Sequence, residues 1–204
     1  MEIIVWVSLK NSMIWHDRKI VFIHIPKCGG TSVRKAIQKK VGGTHRNRTW
    51  LHGWKVLDGD IWNQHATYDQ YSLTVPRGYM YITQVRNPFD RFESMWKHLV
   101  RAGFVHSSFN DWGLNAISSL QEGDWEACFE NKPPLRPAAA LLFKHMAVGK
   151  RDVIIFKMED KNIWNLLDLK ETHLNTSAGD CSWSSKLFTK VRDFYERDFE
   201  EFRY

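Results

Sequence analysis

Residues 21–32, Val-Phe-Ile-His-Ile-Pro-Lys-Cys-Gly-Gly-Thr-Ser, constrain this chain more than any other stretch. An apolar β-type run stops at a Lys-x-Gly-Gly-Thr-Ser turn, and a helical pattern follows at once. The sequence therefore predicts strand, tight turn and helix in immediate succession. Gly29 and Gly30 let backbone N–H groups approach a ligand closely. The new helix adds unpaired N–H donors and the positive end of its dipole. Lys27 contributes a point charge, and Thr31 and Ser32 contribute hydroxyl donors. Residues 27–32 read as a cradle for a phosphate- or sulfate-shaped anion.

A second β-type run, residues 79–85, leads into Arg86-Asn87-Pro88 and a helix through about residue 100. Asn87 suits the N-cap, Pro88 the first helical position and Asp90 the first turn. Further helical patterns cover residues 31–41, 109–120, 137–147 and 160–167, with a Pro-Pro breaker at 131–134. A third β-type run covers 152–156, and residues 184–202 read as one charged amphipathic helix. Residues 44–60 are polar, basic and rich in Trp, and read as a long loop of the kind that often carries function. Strands repeatedly followed by helices predict an α/β fold, a mainly parallel central sheet flanked by helices in three layers. Ligands of such folds bind at the carboxyl ends of strands. The Lys27 turn and the Arg86 turn both lie at such ends.

At 204 residues the chain is long enough for one domain with a sizeable core. Its formal charge of +6 favours an anionic ligand. The basic residues are dispersed rather than gathered in a stripe, so nucleic acid is not an expected partner. The three cysteines, Cys28, Cys128 and Cys181, are odd in number and widely spaced. They form no disulfide framework or metal-type pair, which fits a reducing, cytoplasmic setting. The apolar opening, residues 1–9, is too short to span a bilayer and reads as an edge strand or ordered arm. No membrane insertion is expected.

The cradle lacks the order of a nucleoside-triphosphate P-loop, because its Lys precedes its glycines. No strand ends in a Walker-B-type Asp; the second ends at Gln84-Val85-Arg86. A kinase-like phosphoryl transferase is thus the weaker alternative, and a non-catalytic nucleotide- or polyanion-binding protein is another.

Residues 25–32, Ile-Pro-Lys-Cys-Gly-Gly-Thr-Ser, resemble the 5′-phosphosulfate loop of the sulfotransferases, especially their carbohydrate branch. Residues 85–94, Val-Arg-Asn-Pro-Phe-Asp-Arg-Phe-Glu-Ser, are similar to that branch's 3′-phosphate motif, an Arg followed eight positions later by a Ser. Gln64-His65-Ala66-Thr67 resembles a segment of bacterial-type members. His173-Leu174-Asn175 and residues 195–204 are similar to the family's C-terminal pattern. The resemblance implies a P-loop-like fold, the donor 3′-phosphoadenosine 5′-phosphosulfate (PAPS, leaving adenosine 3′,5′-bisphosphate) and sulfuryl transfer to an acceptor hydroxyl or amine. It implies no metal. On this reading Lys27, Cys28, Gly29, Gly30, Thr31 and Ser32 hold the 5′ end of the donor. Lys27 also neutralises charge on the bridging oxygen, and Arg86 and Ser94 hold the 3′-phosphate.

The general base expected from the resemblance is His65, whose ordinary pKa near ~6.5 suits proton abstraction. His52, in Leu51-His52-Gly53-Trp54, is its rival. Trp50, Trp54 and Trp62 lie in polar sequence where an aromatic face can stack on a sugar, so His52 and Trp54 are candidate acceptor-binding residues. Positive charge and these Trp residues point to a glycan acceptor, with a small-molecule alcohol, phenol or amine as the alternative. Cys28 reads as a small side chain tolerated in the loop. His24 reads as a packed histidine within the first strand run. Arg91 is open to a phosphate contact or to an ion pair with Asp90, Glu93 or the C-terminal acids. Glu159, after the third strand, reads as a structural or acceptor-side carboxylate.

Overall fold

The computed structural model describes residues 13–40, 50–51, 55–57, 60–62, 68–72, 75–122, 152–172 and 181–204. The first sheet strand, β1 (Ile14–Trp15), turns through a short 3-10 helix (His16–Arg18) and pairs antiparallel with β2 (Ile20–Ile23). Helix α1 (Gly30–Lys40) follows the anion-loop sequence directly. Beyond it come β3 (Trp50–Leu51), β4 (Lys55–Leu57), β5 (Asp60–Trp62) and α2 (Tyr68–Ser72). The second motif spans β6 (Met80–Val85) and α3 (Pro88–Arg101), followed by α4 (Phe109–Gln121). The chain then supplies β7 (Val153–Lys157), α5 (Asn162–Leu167), α6 (Ser185–Phe194) and α7 (Glu196–Phe202).

The main sheet has five strands in the order β3-β1-β2-β6-β7. Strands β2, β6 and β7 pair in parallel, and β3 runs antiparallel to β1 and so in the same sense as β2. Only β1 runs against the others, which is the mainly parallel sheet the sequence predicts.

Alternation along β2 builds the layers, because successive side chains of a strand point to opposite faces. Ile20 and Phe22 join Val33 and Ile37 of α1 and Ile163, Trp164 and Leu167 of α5 in one core. Val21 and Ile23 join Tyr71 of α2, Val75 and Val153 in another. A third core lies among helices. Phe92, Met95 and Leu99 of α3 pack with Phe109, Trp112 and Ile117 of α4 and with Leu187 and Val191 of α6.

Two expectations are corrected. Residues 44–60 are not one long loop: β3 extends the sheet edge, and β4 and β5 form an antiparallel pair in which Leu57 faces Asp60. The Asp58-Gly59 pair between them is a hairpin signal in the sequence. The tail is not one helix. It breaks at Tyr195, which closes α6 and opens α7. The break lets α6 pack on α3 and α4 while Phe202 of α7 meets Cys28 and Val85. The other main-chain boundaries fall within a few residues of expectation. The helix expected at 137–147, the breaker at 131–134, residues 1–9 and Cys128 lie outside the described residues.

Candidate active site

The carboxyl end of β2 is tied to its neighbour by a side chain. The buried Thr83 hydroxyl of β6 donates to the Ile23 carbonyl at 2.8 Å. Beyond Ile23 the chain enters the anion loop. Lys27 and Gly29 both adopt left-handed backbone, with φ of 66° and 74°. Gly29 tolerates this freely, whereas Lys27 is held there at a cost of roughly 1–3 kcal/mol. The Gly29 carbonyl accepts from the N–H groups of Ser32 (2.9 Å) and Val33 (3.3 Å), which makes it the cap of α1. The N–H groups of Gly30 and Thr31, first in α1, have no acceptor within the helix. No acidic residue occupies the first turn of α1. These two donors and the positive end of the helix dipole are what the loop offers to an anion.

Gly30 is required by a neighbour. A Cβ on Gly30 would lie 2.0 Å from Cδ2 of His24. The His24 ring is buried and stacks on Phe22 at 6.0 Å between centroids. It is the packed histidine the sequence suggests, and its ring takes the space a side chain would need. Cys28 is also buried, packing with Val85 and Phe202, with Sγ 3.7 Å from the Pro26 carbonyl. Burial pushes its thiol up to about 11, so it stays protonated. Cys28 shapes the loop from beneath, turning its side chain into the core.

Lys27 is half-buried. Burial first, then the positive charges of Arg101 and Arg86, lower its pKa to about 8. That influence ties the two motifs together in space, since Arg86 lies just past the end of β6. Asn87 caps α3, its Oδ1 accepting from the Phe89 N–H at 2.9 Å, with Pro88 in the first turn, as the sequence predicts. Ser94 is half-buried in the second turn of α3.

Arg91 is buried, with 1% exposure. Its Nε donates to the Pro26 carbonyl at 3.1 Å, and its guanidinium carbon lies 5.9 Å from the Tyr195 ring centroid. Glu93 is committed elsewhere, to Lys97 (3.2 Å) and to the Trp183 indole N–H (2.7 Å). Arg91 and the buried Asp198 of α7 both act electrostatically on the Cys28 thiol.

Two groups escaped the sequence reading. His98 and Arg101 lie four and seven residues beyond Ser94 on α3, a spacing that puts all three on one helical face. Arg101 Nη2 is 3.4 Å from His98 Nδ1. Burial, then Lys27 and Arg101, push His98 down to about 4, so it is neutral at neutral pH. The 94/98/101 spacing was the available signal. Gln84, second from the end of β6, is buried, and its Oε1 has no hydrogen-bond partner among the described residues. It lies under Gly29, 3.4 Å from where a Cβ would stand. His52, Trp54, His65 and the segment 173–175 lie outside the described residues, as do the side chains of Trp50 and Trp62.

The described site is thus a loop that caps α1 and an Arg-bearing turn, at the ends of neighbouring parallel strands. Residues 10–133, more than half of the chain, match the model of the sulfotransferase family. The chain belongs to the sulfotransferase family. It is similar to human heparan-sulfate 6-O-sulfotransferase 1, at 32% identity over 46% of this chain and 30% of the relative. The Cricetulus griseus and Mus musculus proteins of the same name match at 29% identity, over 46% of this chain in each case. The chain spans about 30% of the length of these relatives. No solved structure matches it. The family match supports the expectation made from the two motifs, and the relatives' names lie on its carbohydrate side.

Proposed function

We propose that the chain transfers a sulfuryl group from PAPS to a hydroxyl of a carbohydrate by in-line displacement. The observation that carries this reading is the pair of anion-binding turns at the carboxyl ends of β2 and β6, with Lys27 feeling the charge of Arg86. A ligand with an anionic group at each of two ends suits them. The orphaned donors of Gly30 and Thr31 and the partly desolvated Lys27 ammonium fit a 5′-phosphosulfate. Arg86, with Ser94 on the helix behind it, fits a 3′-phosphate. When bound, PAPS supplies an activated sulfuryl group and a phosphate leaving group.

The chain's own residues then have distinct tasks. The N–H groups of Gly30 and Thr31 orient the anion against α1. Lys27 meets the charge that develops on the bridging oxygen, where a preorganised cation lowers the barrier. Its depressed pKa leaves the proton easily shared with that oxygen. Cys28 holds the loop's shape from the core side. His65 is the proposed base for the acceptor hydroxyl, with His52 as its rival. His98 beside Lys27 is too weak a base for that task, and is suited to orienting the acceptor or the lysine.

A glycan acceptor draws support from the names of the relatives, from the net charge of +6 and from Arg101 beside Lys27. His52 and Trp54 are proposed to contact it. We read residues 1–204 as a single domain. Among the described residues no helix is long and apolar enough to cross a membrane. A cytoplasmic site of action rests on the cysteine pattern alone.

The test is transfer from radiolabelled PAPS to a panel of desulfated heparan chains, simple sugars, phenols and amines. Label in a carbohydrate, abolished by Lys27→Ala, supports the proposal. Label in a phenol or amine alone would overturn the acceptor class. No transfer to any acceptor, together with tight adenosine 3′,5′-bisphosphate binding, would favour the non-catalytic alternative.

A further inference from the structure

Glu159 lies two residues past β7, on the Arg86 side of the sheet. Its Oε1 accepts from the Asn87 N–H at 3.0 Å, and its Oε2 accepts from the Tyr204 hydroxyl at 2.9 Å. The preceding residue, Met158, donates its N–H to the Val85 carbonyl at 2.8 Å. Val85 C=O belongs to the peptide unit before Arg86, and Asn87 N–H belongs to the unit after it. Consecutive residues 158 and 159 therefore pin the planes on both sides of the Arg86 α-carbon. Peptide units are rigid, so fixing both planes fixes the φ and ψ of Arg86. The second hold continues into the C-terminal turn. Lys157 Nζ donates to the Arg203 carbonyl at 3.0 Å and lies 4.7 Å from the Tyr204 ring centroid. Burial and the Glu159 carboxylate keep the Tyr204 hydroxyl protonated, as a donor must be.

We propose that Glu159, braced by Tyr204, is a positioning residue that aims Arg86 at the 3′-phosphate. It does so by fixing the backbone around Arg86, without touching the ligand. The assignment rests on the two-phosphate reading above and adds how the second grip is preorganised. A carboxylate this close to an anion site is costly for binding by charge alone, so its value here is as a double acceptor. A glutamine keeps an acceptor for Asn87 and removes the charge.

The experiment compares affinities for adenosine 3′,5′-bisphosphate and adenosine 5′-monophosphate by calorimetry on the full chain. Four proteins are needed: wild type, Glu159→Ala, Glu159→Gln and Tyr204→Phe. The expected result for Glu159→Ala is a preference for the 3′-phosphate that falls about tenfold, the scale of a lost charge-assisted hydrogen bond. Affinity for the monophosphate stays within about twofold, a change within ordinary context dependence. Glu159→Gln restores most of the preference, and Tyr204→Phe falls between. An unchanged preference in Glu159→Ala, or an equal loss for both nucleotides, overturns the assignment. Glutamine behaving like alanine also overturns it, since charge rather than hydrogen bonding would then be responsible. A wild type that shows no preference overturns the two-phosphate reading itself, and this assignment with it.

Discussion

Arg91 Nε donates to the carbonyl of Pro26 at 3.1 Å, joining two motifs that are 65 residues apart in sequence. Pro26 immediately precedes Lys27, and Arg91 follows Arg86 by little more than one helical turn. The Lys27 turn and the Arg86 turn are therefore braced against each other through the core, and the charged group that does it is 1% exposed. A buried cation is retained only where its donors are used, and here one goes to a carbonyl that has no partner in a strand. Replacing Arg91 by Met should cost about 2–4 kcal/mol of stability, the range for removing a buried charged donor. Urea denaturation measures the loss. Calorimetry of the surviving folded protein should show weaker adenosine 3′,5′-bisphosphate binding, because the Lys27 loop has lost its brace. Full stability in Arg91→Met would show that the bond to Pro26 is incidental.

Gly30→Ala should be destabilising because of one neighbour. The added Cβ would stand 2.0 Å from the His24 ring, inside any tolerable contact, so the ring must move. The expected cost is about 1–3 kcal/mol, as for other overpacked cores. His24→Ala removes the obstacle, so the double variant should recover part of the loss. Thermal melting of the two single variants and the double one checks this. Strict additivity would mean that Gly30 is needed for some reason other than His24.

The pH dependence of ligand binding should report on Lys27. Its folded pKa, about 8, lies below the ordinary lysine value of 10.5, mainly because of burial and then because of Arg101 and Arg86. In the free protein the ammonium is therefore lost as pH rises through about 8. A bound phosphate favours the ammonium, so binding above that pH must take up a proton. Affinity for adenosine 3′,5′-bisphosphate should fall roughly tenfold per pH unit above 8, until the pKa of the complex is reached. In Lys27→Arg the guanidinium stays charged and that fall should vanish. A flat profile in the wild type would place Lys27 outside the anion site.

His98 should contribute to acid sensitivity. Its folded pKa, about 4, lies below the ordinary 6.5, through burial and then through Lys27 and Arg101. A histidine that resists protonation in the folded state gives stability that is fully present above 6.5. That stability is lost as pH falls from 6.5 towards 4. His98→Gln cannot take up the proton and should flatten the dependence over that window. Denaturation midpoints at a series of pH values measure it. An identical slope in the variant would show that His98 titrates normally.

The fold and the first strand–turn–helix are legible because their signals are local. The apolar run through residues 20–23 and the cap at Asn87 depend only on neighbours in the chain, and the structure has them there. What distant contacts decide was less legible. The break at Tyr195 follows from two separate cores that each take part of the tail. The need for Gly30 comes from His24 six residues earlier, and reading it as ligand clearance caught the residue with an incomplete reason. Arg91 looked open to several partners because nothing in its neighbourhood of sequence reveals the Pro26 carbonyl. Residues 44–60 read as loop because charge and Trp obscure the short strands there, although the Asp58-Gly59 pair is in view.

The central claim is that the two turns grip two phosphates of one nucleotide. Calorimetric titration of the wild type and of Arg86→Ala with adenosine 3′,5′-bisphosphate, adenosine 5′-monophosphate and magnesium–ATP tests it most directly. The account predicts that the wild type binds the bisphosphate at least about tenfold more tightly than the other two, the worth of a bidentate Arg–phosphate contact. It predicts that Arg86→Ala removes that advantage while leaving monophosphate binding nearly intact. Equal affinities in the wild type, or tighter binding of magnesium–ATP, would contradict it.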